Sequence, residues 1–207
     1  MIAGLDEKTH GDCHIAKKQN GSTSEIGMIF QEHGLFPWMS LRKNIGFILE
    51  NNPRIKRNEV ETITTHYLEK VGLEQHAQLY PHQVSGGMKQ RISIARSFAN
   101  DSDVLLMDEP FVFLDFQARL LIHELLINIW RETQKTILFV THDVEEAVVL
   151  ADRIIVLTAH PGQIRQIETV NIKRPRDSIN IKKDPAFIEL VSQLTQEIKT
   201  DIQINYS

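Results

Sequence analysis

The sequence predicts an α/β fold: a parallel sheet with flanking helices and a helical subdomain inserted between its strands. Three observations carry this. Val104-Leu-Leu-Met107 is a short apolar run between acidic residues, closed by Pro110, and Thr136-Ile-Leu-Phe-Val-Thr141 is a second apolar run. Runs of this length read as buried strands of a parallel sheet. Between them Phe116 to Thr133 reads as one long amphipathic helix, with Leu120, Leu121, Leu125, Ile129 and Trp130 as its apolar stripe. Residues 41–83 change character and read as helical. The first run also places two carboxylates, Asp108 and Glu109, at a strand's carboxyl end. Ligands of open α/β sheets bind at that edge. Paired acids there suit magnesium–phosphate chemistry, one holding the cation and the other orienting or deprotonating a water.

Composition sets the bounds. The chain has 207 residues, 42% apolar and 24% charged, enough for one domain with a core or a domain plus a small appendage. A net charge of −4 leaves no nucleic-acid footprint. No apolar run approaches the length of roughly 18 residues that a membrane helix needs. The first residues lack the basic and long apolar regions of a signal peptide. The one cysteine, Cys13, excludes an internal disulfide framework and fits a reducing cytosol.

Taken in order, Met1 to Asp6 reads as the end of a helix with Gly4 as its C-cap. Cys13 to Lys18 and Glu25 to Phe30 read as strands joined by the turn signal Asn20-Gly21. His10, Cys13 and His14 read as scattered polar side chains, because zinc sites show two ligand pairs and no second pair is near. Ser40 opens a helix with apolar Leu41, Ile45, Ile48 and Leu49. Asn51-Asn-Pro53 breaks it, and Asn58 to Val71 continues helically until Gly72.

Ser85 then caps a helix over Met88 to Ala99, with Ile92, Ala95 and Phe98 on one face and Gly86-Gly87 just before it. Glycines let backbone amides approach an anion, and the helix dipole adds partial positive charge. A bare Ser-Gly-Gly is also a capped turn. His142 follows the second apolar run, at a strand's carboxyl edge, where a histidine can touch a phosphate oxygen or a water. Asp143 and Glu146 form a capping-box pattern for the next helix. Ile154 to Thr158 and Gln163 to Val170 read as a hairpin. A closing helix presents Phe187, Val191, Leu194 and Ile198 on one face, which is expected to pack on the domain, with docking to a partner as the lesser reading. The implied segments are 1–40, 41–84, 85–170 and 171–207.

Together these stretches resemble the ATP-binding subunit of ATP-binding cassette (ABC) transporters. Gln31 after a strand resembles the family's Q-loop, and Val84-Ser-Gly-Gly-Met88 with Lys-Gln-Arg91 resembles its signature motif. Val104 to Glu109 matches Walker B, Leu114-Asp115 the D-loop, and His142 the switch histidine. Five motifs in the family's order span nearly the whole chain. Phe30 to Trp38, Ser85 to Arg91 and Arg174-Pro-Arg-Asp177 look like the branch importing nitrate, sulfonate, taurine, bicarbonate or related solutes.

The resemblance implies a P-loop NTPase-like core, ATP and Mg²⁺ as cofactors, and a sandwich dimer formed with a second copy or a paired ATPase subunit. It implies that Ser85, Gly86 and Gly87 contact the γ-phosphate of a partner-held ATP. Asp108, with Gln31, would support magnesium. Glu109 would activate water, Gln31 and His142 would sense the γ-phosphate, and Asp115 would join the two sites. It further implies a peripheral place on the cytoplasmic side of the inner membrane, beside a permease and, indirectly, a periplasmic or lipoprotein solute-binding protein. Leu35, Phe36, Trp38 and Met39 lie where the family docks the permease; a buried loop is the equal alternative.

One departure stands out. The family's loop G-x-x-x-x-G-K-[ST] grips the β- and γ-phosphates, yet none of the ten glycines here precedes a lysine. The family's first strand, that loop and most of the first helix are absent from these residues. Weak ATP binding by the chain alone and exposed apolar surface are therefore expected. Three origins stay open: a longer true protein, a truncated cassette, or a partner that supplies complete sites. Two further readings compete with the importer ATPase. One is a non-catalytic interaction module. The other is an ABC-type ATPase acting on nucleic acid, disfavoured because only 54 residues separate Gln31 from Ser85 (85 − 31) and the chain is net acidic.

Overall fold

The computed structural model describes residues 2–16, 24–159 and 161–205, with side chains as far as Lys199. The chain divides into two compact units, Met1–Val140 and Thr141–Ser207.

The first unit is built on three parallel strands in spatial order β1 (Ile26–Ile29), β2 (Val104–Asp108) and β3 (Thr136–Val140). Ile29 pairs with Met107, and Asp108 with Val140. The register is locked at its start, where Asp103 N and Val104 N both donate to the Glu25 carbonyl and Asp103 Oδ2 accepts from Glu25 N at 2.8 Å. Leu105 and Met107 of β2 are buried, as the apolar run requires. Fully burying such a side chain is worth roughly 1.5–3 kcal/mol.

Between β1 and β2 the chain forms α1 (Leu41–Glu50), α2 (Val60–Lys70) and α3 (Gly86–Ala99). Ser40 caps α1, and Leu41, Ile45 and Leu49 are buried on one stripe. Gly72, at φ +64°, ends the α2 region in the left-handed conformation that glycine takes without steric cost. Arg91 Nη1 donates to the Val71 carbonyl at 2.9 Å and Tyr67 Oη to the Phe98 carbonyl at 3.2 Å, tying α2 to α3. α4 (Phe116–Thr133) links β2 to β3 and ends at Gln134, which is itself left-handed at φ +50°.

Several expectations need correction. Residues 2–6 form turns rather than a helix end, although Gly4 does have φ +73°. Cys13 to Ala16 is not a strand: β1 finds its partner in β2, and this polar stretch pairs with nothing in a ladder among the described residues. Lys17, Lys18 and the Asn20-Gly21 turn lie outside the described residues. The stripe of α4 is rotated from the expected one. Ile122, His123, Leu126, Ile127 and Ile129 are buried, while Leu121 is 66% exposed. This helix is apolar on most sides, so periodicity alone does not select its inner face; packing does. β3 is not a fully buried strand either, since Leu138 and Val140 are 41% and 49% exposed. It lies at the edge of the three-stranded sheet.

In the second unit, α5 (Val144–Leu150) precedes the antiparallel hairpin of β4 (Arg153–Leu157) and β5 (Ile164–Thr169), as expected. Buried Arg176 donates to the carbonyls of Val148, Ala151, Val170 and Ile172, stapling the strand exit to the end of α5. α6 (Pro185–Asn205) packs on α5 through a face that buries Phe187 and Leu194, with Ile198 left partly exposed. Among the described residues no helix is long and apolar enough to cross a membrane.

Gly27 marks the tightest point of the sheet. A Cβ there would stand 2.7 Å from both Leu105 Cδ2 and Ser102 Oγ, and both residues are buried. Gly27→Ala is expected to lower stability by about 1–3 kcal/mol through overpacking, read as a reduced midpoint in urea denaturation with an unchanged slope.

Candidate functional site

Parallel pairing puts three of the sequence-predicted residues on one edge. β1 ends at Ile29 opposite Met107. Gln31 therefore leaves β1 at the carboxyl edge where Asp108 closes β2 and Glu109 follows. Asp108 is exposed, Glu109 half-buried and Gln31 exposed. Glu109 N donates to the Val140 carbonyl at 3.0 Å, carrying the β2–β3 ladder one residue past Asp108. Its backbone is left-handed, at φ +43°. For a residue with a side chain this costs about 1–2 kcal/mol, and such strain is concentrated at functional positions. Phe111 holds the chain in place just beyond: it is buried, with ring centroids 5.5 Å from Phe139 and 5.3 Å from His123.

A second cluster forms at two helix starts. The helix predicted from Met88 begins at Gly86, so both glycines belong to its first turn. Ser85 is the N-cap, its Oγ accepting from Met88 N at 3.3 Å. Gly86 is exposed, and a Cβ built on it would meet nothing within 4 Å. The space beside Gly86 is therefore open, which lets an anion approach this helix start, while Met88 N is already held by Ser85 Oγ. Gly87 approaches the next element: its Cβ would lie 3.4 Å from Ala118 Cβ in the first turn of α4. Asp115 caps that same helix, accepting from Ala118 N at 2.9 Å. The Gly87–Ala118 approach thus joins the Ser85 turn to the Asp115 turn, and Asp115 has a structural duty besides any other.

His142 lies in the second unit, directly before α5. Asp143 caps α5 by accepting from Glu146 N at 3.2 Å, while its own N–H donates to Thr141 Oγ1 at 3.0 Å. The Glu146 half of the expected capping box is thus replaced by a threonine. His142 lines a shallow depression with Asp143, Val144, Glu145, Val191 and Thr195.

The loop after Gln31 is shaped by residues that no motif flagged. Buried Asn44 accepts from Phe36 N at 2.7 Å, and its amide donates to the carbonyls of Phe36, Met39 and Ser40. Trp38 stands 69% exposed at the tip, its ring 5.7 Å from Phe36, which meets Phe47 edge-on at 5.3 Å. Leu35, Phe36 and Met39 are half-buried, so the two sequence readings of this run are divided between residues. An asparagine able to satisfy four backbone groups has no sequence signature apart from its place one turn into a capped helix.

This chemistry can take a phosphate anion at the Ser85–Gly86 turn, and a hydrated cation with its phosphate at the strand-end acids. Among the described residues no cluster of three or more histidine, cysteine or acidic side chains could hold a metal by itself. Asp108 and Glu109 suit magnesium, which keeps its waters and uses one or two carboxylates plus substrate phosphates.

The ABC transporter family profile matches residues 1–112. An uncharacterised ABC transporter ATP-binding protein of Methanocaldococcus jannaschii is 42% identical over 203 residues, 98% of this chain and 74% of that protein. The nitrate import ATP-binding protein NrtD of Synechocystis is 41% identical, over 96% of this chain and 77% of its own length. The aliphatic sulfonates import ATP-binding protein SsuB of Bacillus anthracis is 36% identical, over 96% and 76% respectively. Among solved structures, a dimeric ATP-binding cassette in a post-hydrolysis state, bound to ADP and phosphate, is similar with a TM-score of 0.61 and 31% identity. That likeness covers 72% of this chain and 65% of the cassette.

Two substitutions separate folding from binding at the α3 start. Ser85→Ala is expected to cost about 0.5–1 kcal/mol, the low end for a cap with a long hydrogen bond. Gly86→Ala is expected to be neutral or to stabilise by up to about 1 kcal/mol, because alanine favours the helix and meets no neighbour. Thermal unfolding of both variants checks this; a large loss in Gly86→Ala would show a packing role that the open space denies.

Proposed function

The chain belongs to the ABC transporter family, and from that premise we propose that it is the ATP-binding, ATP-hydrolysing subunit energising an importer of small anionic solutes. The observation that carries the reading is the edge of the sheet, where Gln31, Asp108 and the strained Glu109 emerge from neighbouring parallel strands. Nitrate and sulfonate import proteins among the relatives support the solute class.

In this reading the α3 start binds. The Ser85 hydroxyl and the Gly86 and Gly87 amides present donors to a terminal phosphate held chiefly by a paired cassette. Such donors act where charge develops in the transition state. Asp108 and Gln31 would hold magnesium, which when bound supplies charge neutralisation for the phosphoryl oxygens. Glu109 accepts a hydrogen bond from the attacking water and takes up its proton. The left-handed backbone aims that carboxylate out of the strand direction, away from the alternation that β2 imposes. His142 is assigned a γ-phosphate contact, and Asp115 a place in the link between two sites, on motif order.

Pairing with a second cassette has a precedent in the dimeric solved relative. The exposed Trp38 with Phe36 supports permease docking at the loop tip, and hence a peripheral place on the inner membrane. The alternative reading is a non-catalytic interaction module.

The test is ATP hydrolysis by the chain assembled with its membrane partner. Glu109→Gln is expected to lower kcat by about 10²-fold or more with little change in nucleotide affinity, the pattern of a lost general base. Equal, residual hydrolysis by both forms would assign the chain to the non-catalytic class. Nitrate and sulfonate stimulation of the wild-type complex distinguishes the solutes.

A further inference from the structure

Just before the serine–glycine helix the chain makes a short, tightly held turn. It is fixed to the start of α1, where the Leu79 carbonyl accepts from Leu41 N at 2.8 Å and the Ala77 carbonyl from Arg42 N at 2.9 Å. Pro81–Gln83 then form one 3-10 turn, with Pro81 buried. Its two ends are locked together: Tyr80 N donates to Gln83 Oε1 at 2.8 Å, and Gln83 N donates to the Tyr80 carbonyl at 2.9 Å. Proline fixes its own φ, which leaves the turn little freedom. With Pro81 buried, the rings on either side of it stand outside. Tyr80 is 41% exposed and His82 is exposed, and the two are stacked, with centroids 5.9 Å apart and planes at 24°. Ser85, the cap of α3, follows three residues after His82 and five after Tyr80.

We propose that this stacked pair is a base-binding platform, taking the purine ring of a nucleoside triphosphate whose terminal phosphate meets the Ser85–Gly86 turn. The proposal rests on the phosphate role given to that turn above, and it adds the residues that receive the other end of the ligand. A nucleotide has two recognisable parts, an anion and a flat π-face, and this stretch presents a complement to each. Five residues of chain reach at most about 17 Å, so both complements lie within the span of one nucleoside triphosphate. The rings are not core groups, since the fold buries Pro81 between them and leaves both exposed. Stacking needs no hydrogen-bond partner on the base, because every base offers a π-face. The platform therefore separates nucleotides from inorganic phosphates without choosing one purine. Rings already stacked on each other, on a turn locked by its own hydrogen bonds, have little freedom left to lose when a third ring joins them.

Phosphorus NMR titrations of the full chain with Mg-ATP and with the magnesium complex of ribose 5-triphosphate test this, since the second ligand carries the same sugar and anion without the base. The wild-type chain is expected to bind Mg-ATP about tenfold more tightly, within the range for one stacked base. Tyr80→Leu combined with His82→Ala is expected to bring the two ligands to equal affinity, leaving ribose 5-triphosphate binding and the thermal midpoint as they were. Tyr80→Phe, which keeps the ring, is expected to retain the preference. Equal affinity for both ligands in the wild-type chain, or a preference for ATP that survives loss of both rings, overturns the platform and leaves the phosphate reading of the Ser85 turn standing. Binding of neither ligand overturns both. Loss of ribose 5-triphosphate binding along with ATP binding in the double variant would show that the rings only shape the turn, which also overturns the proposal.

Discussion

Everything at the candidate site depends on β2 being paired in parallel on both sides. Parallel strands present the same end to the same edge, so the residues that leave β1 and β2 must emerge side by side. That is why Gln31, separated from Asp108 by more than half of the first unit's sequence, arrives next to it. The pairing is held by backbone hydrogen bonds and by Leu105 and Met107 buried beneath. Gly27 permits the close approach of β1 over Leu105 and Ser102. A larger residue there would disturb the edge from below, well away from any reacting group.

Local strain and local openness are arranged differently in the two clusters. At the strand edge, Glu109 is driven into the left-handed region between a ladder bond to Val140 and the anchored ring of Phe111. An unstrained extension of β2 would send this carboxylate along the strand's alternation. At the helix starts, strain is absent and space is the resource. Gly86 leaves open space at the start of α3, while Gly87 lets α4 come close enough for Asp115 and Ser85 to cap neighbouring helices. Adjacent glycines of one motif thus serve different ends.

Three arginines, Arg91, Arg96 and Arg176, supply polar joints in the two units by reaching backbone carbonyls. Arg91 and Arg96 bind chain ends around α3, and Arg176 gathers four carbonyls in the second unit. Exposed ion pairs such as Lys43 with Glu50 are worth little beside them, because solvent screens the charges. A buried guanidinium satisfying several carbonyls is harder to replace, since each orphaned acceptor carries its own desolvation cost.

Much of the chain was legible in its residues. Val104 to Met107 could be nothing but an inner strand, Ser85 and Asp143 announced helix starts by their short polar side chains, and the acid pair announced the edge they sit on. These are local properties, decided by hydrophobic length, capping chemistry and backbone preference, which the sequence carries by itself. Other features answer only to what comes across from elsewhere in the fold. α4 is apolar on several sides, so its inner face was chosen by packing, leaving Leu121 outside. Cys13 to Ala16 found no ladder to join. Gln90 and Arg96 became structural joints because a distant imidazole and distant carbonyls arrived within their reach, and Asn44 because the loop just before it folded back onto it. The sequence alone determined most of the helices and the apolar strands from Ile26 onward, and the strand ends from which Gln31, Asp108 and Glu109 emerge. The tertiary structure decided which surfaces are buried and which polar groups meet, because burial and hydrogen bonding are properties of pairs, and the partners lie far apart along the chain.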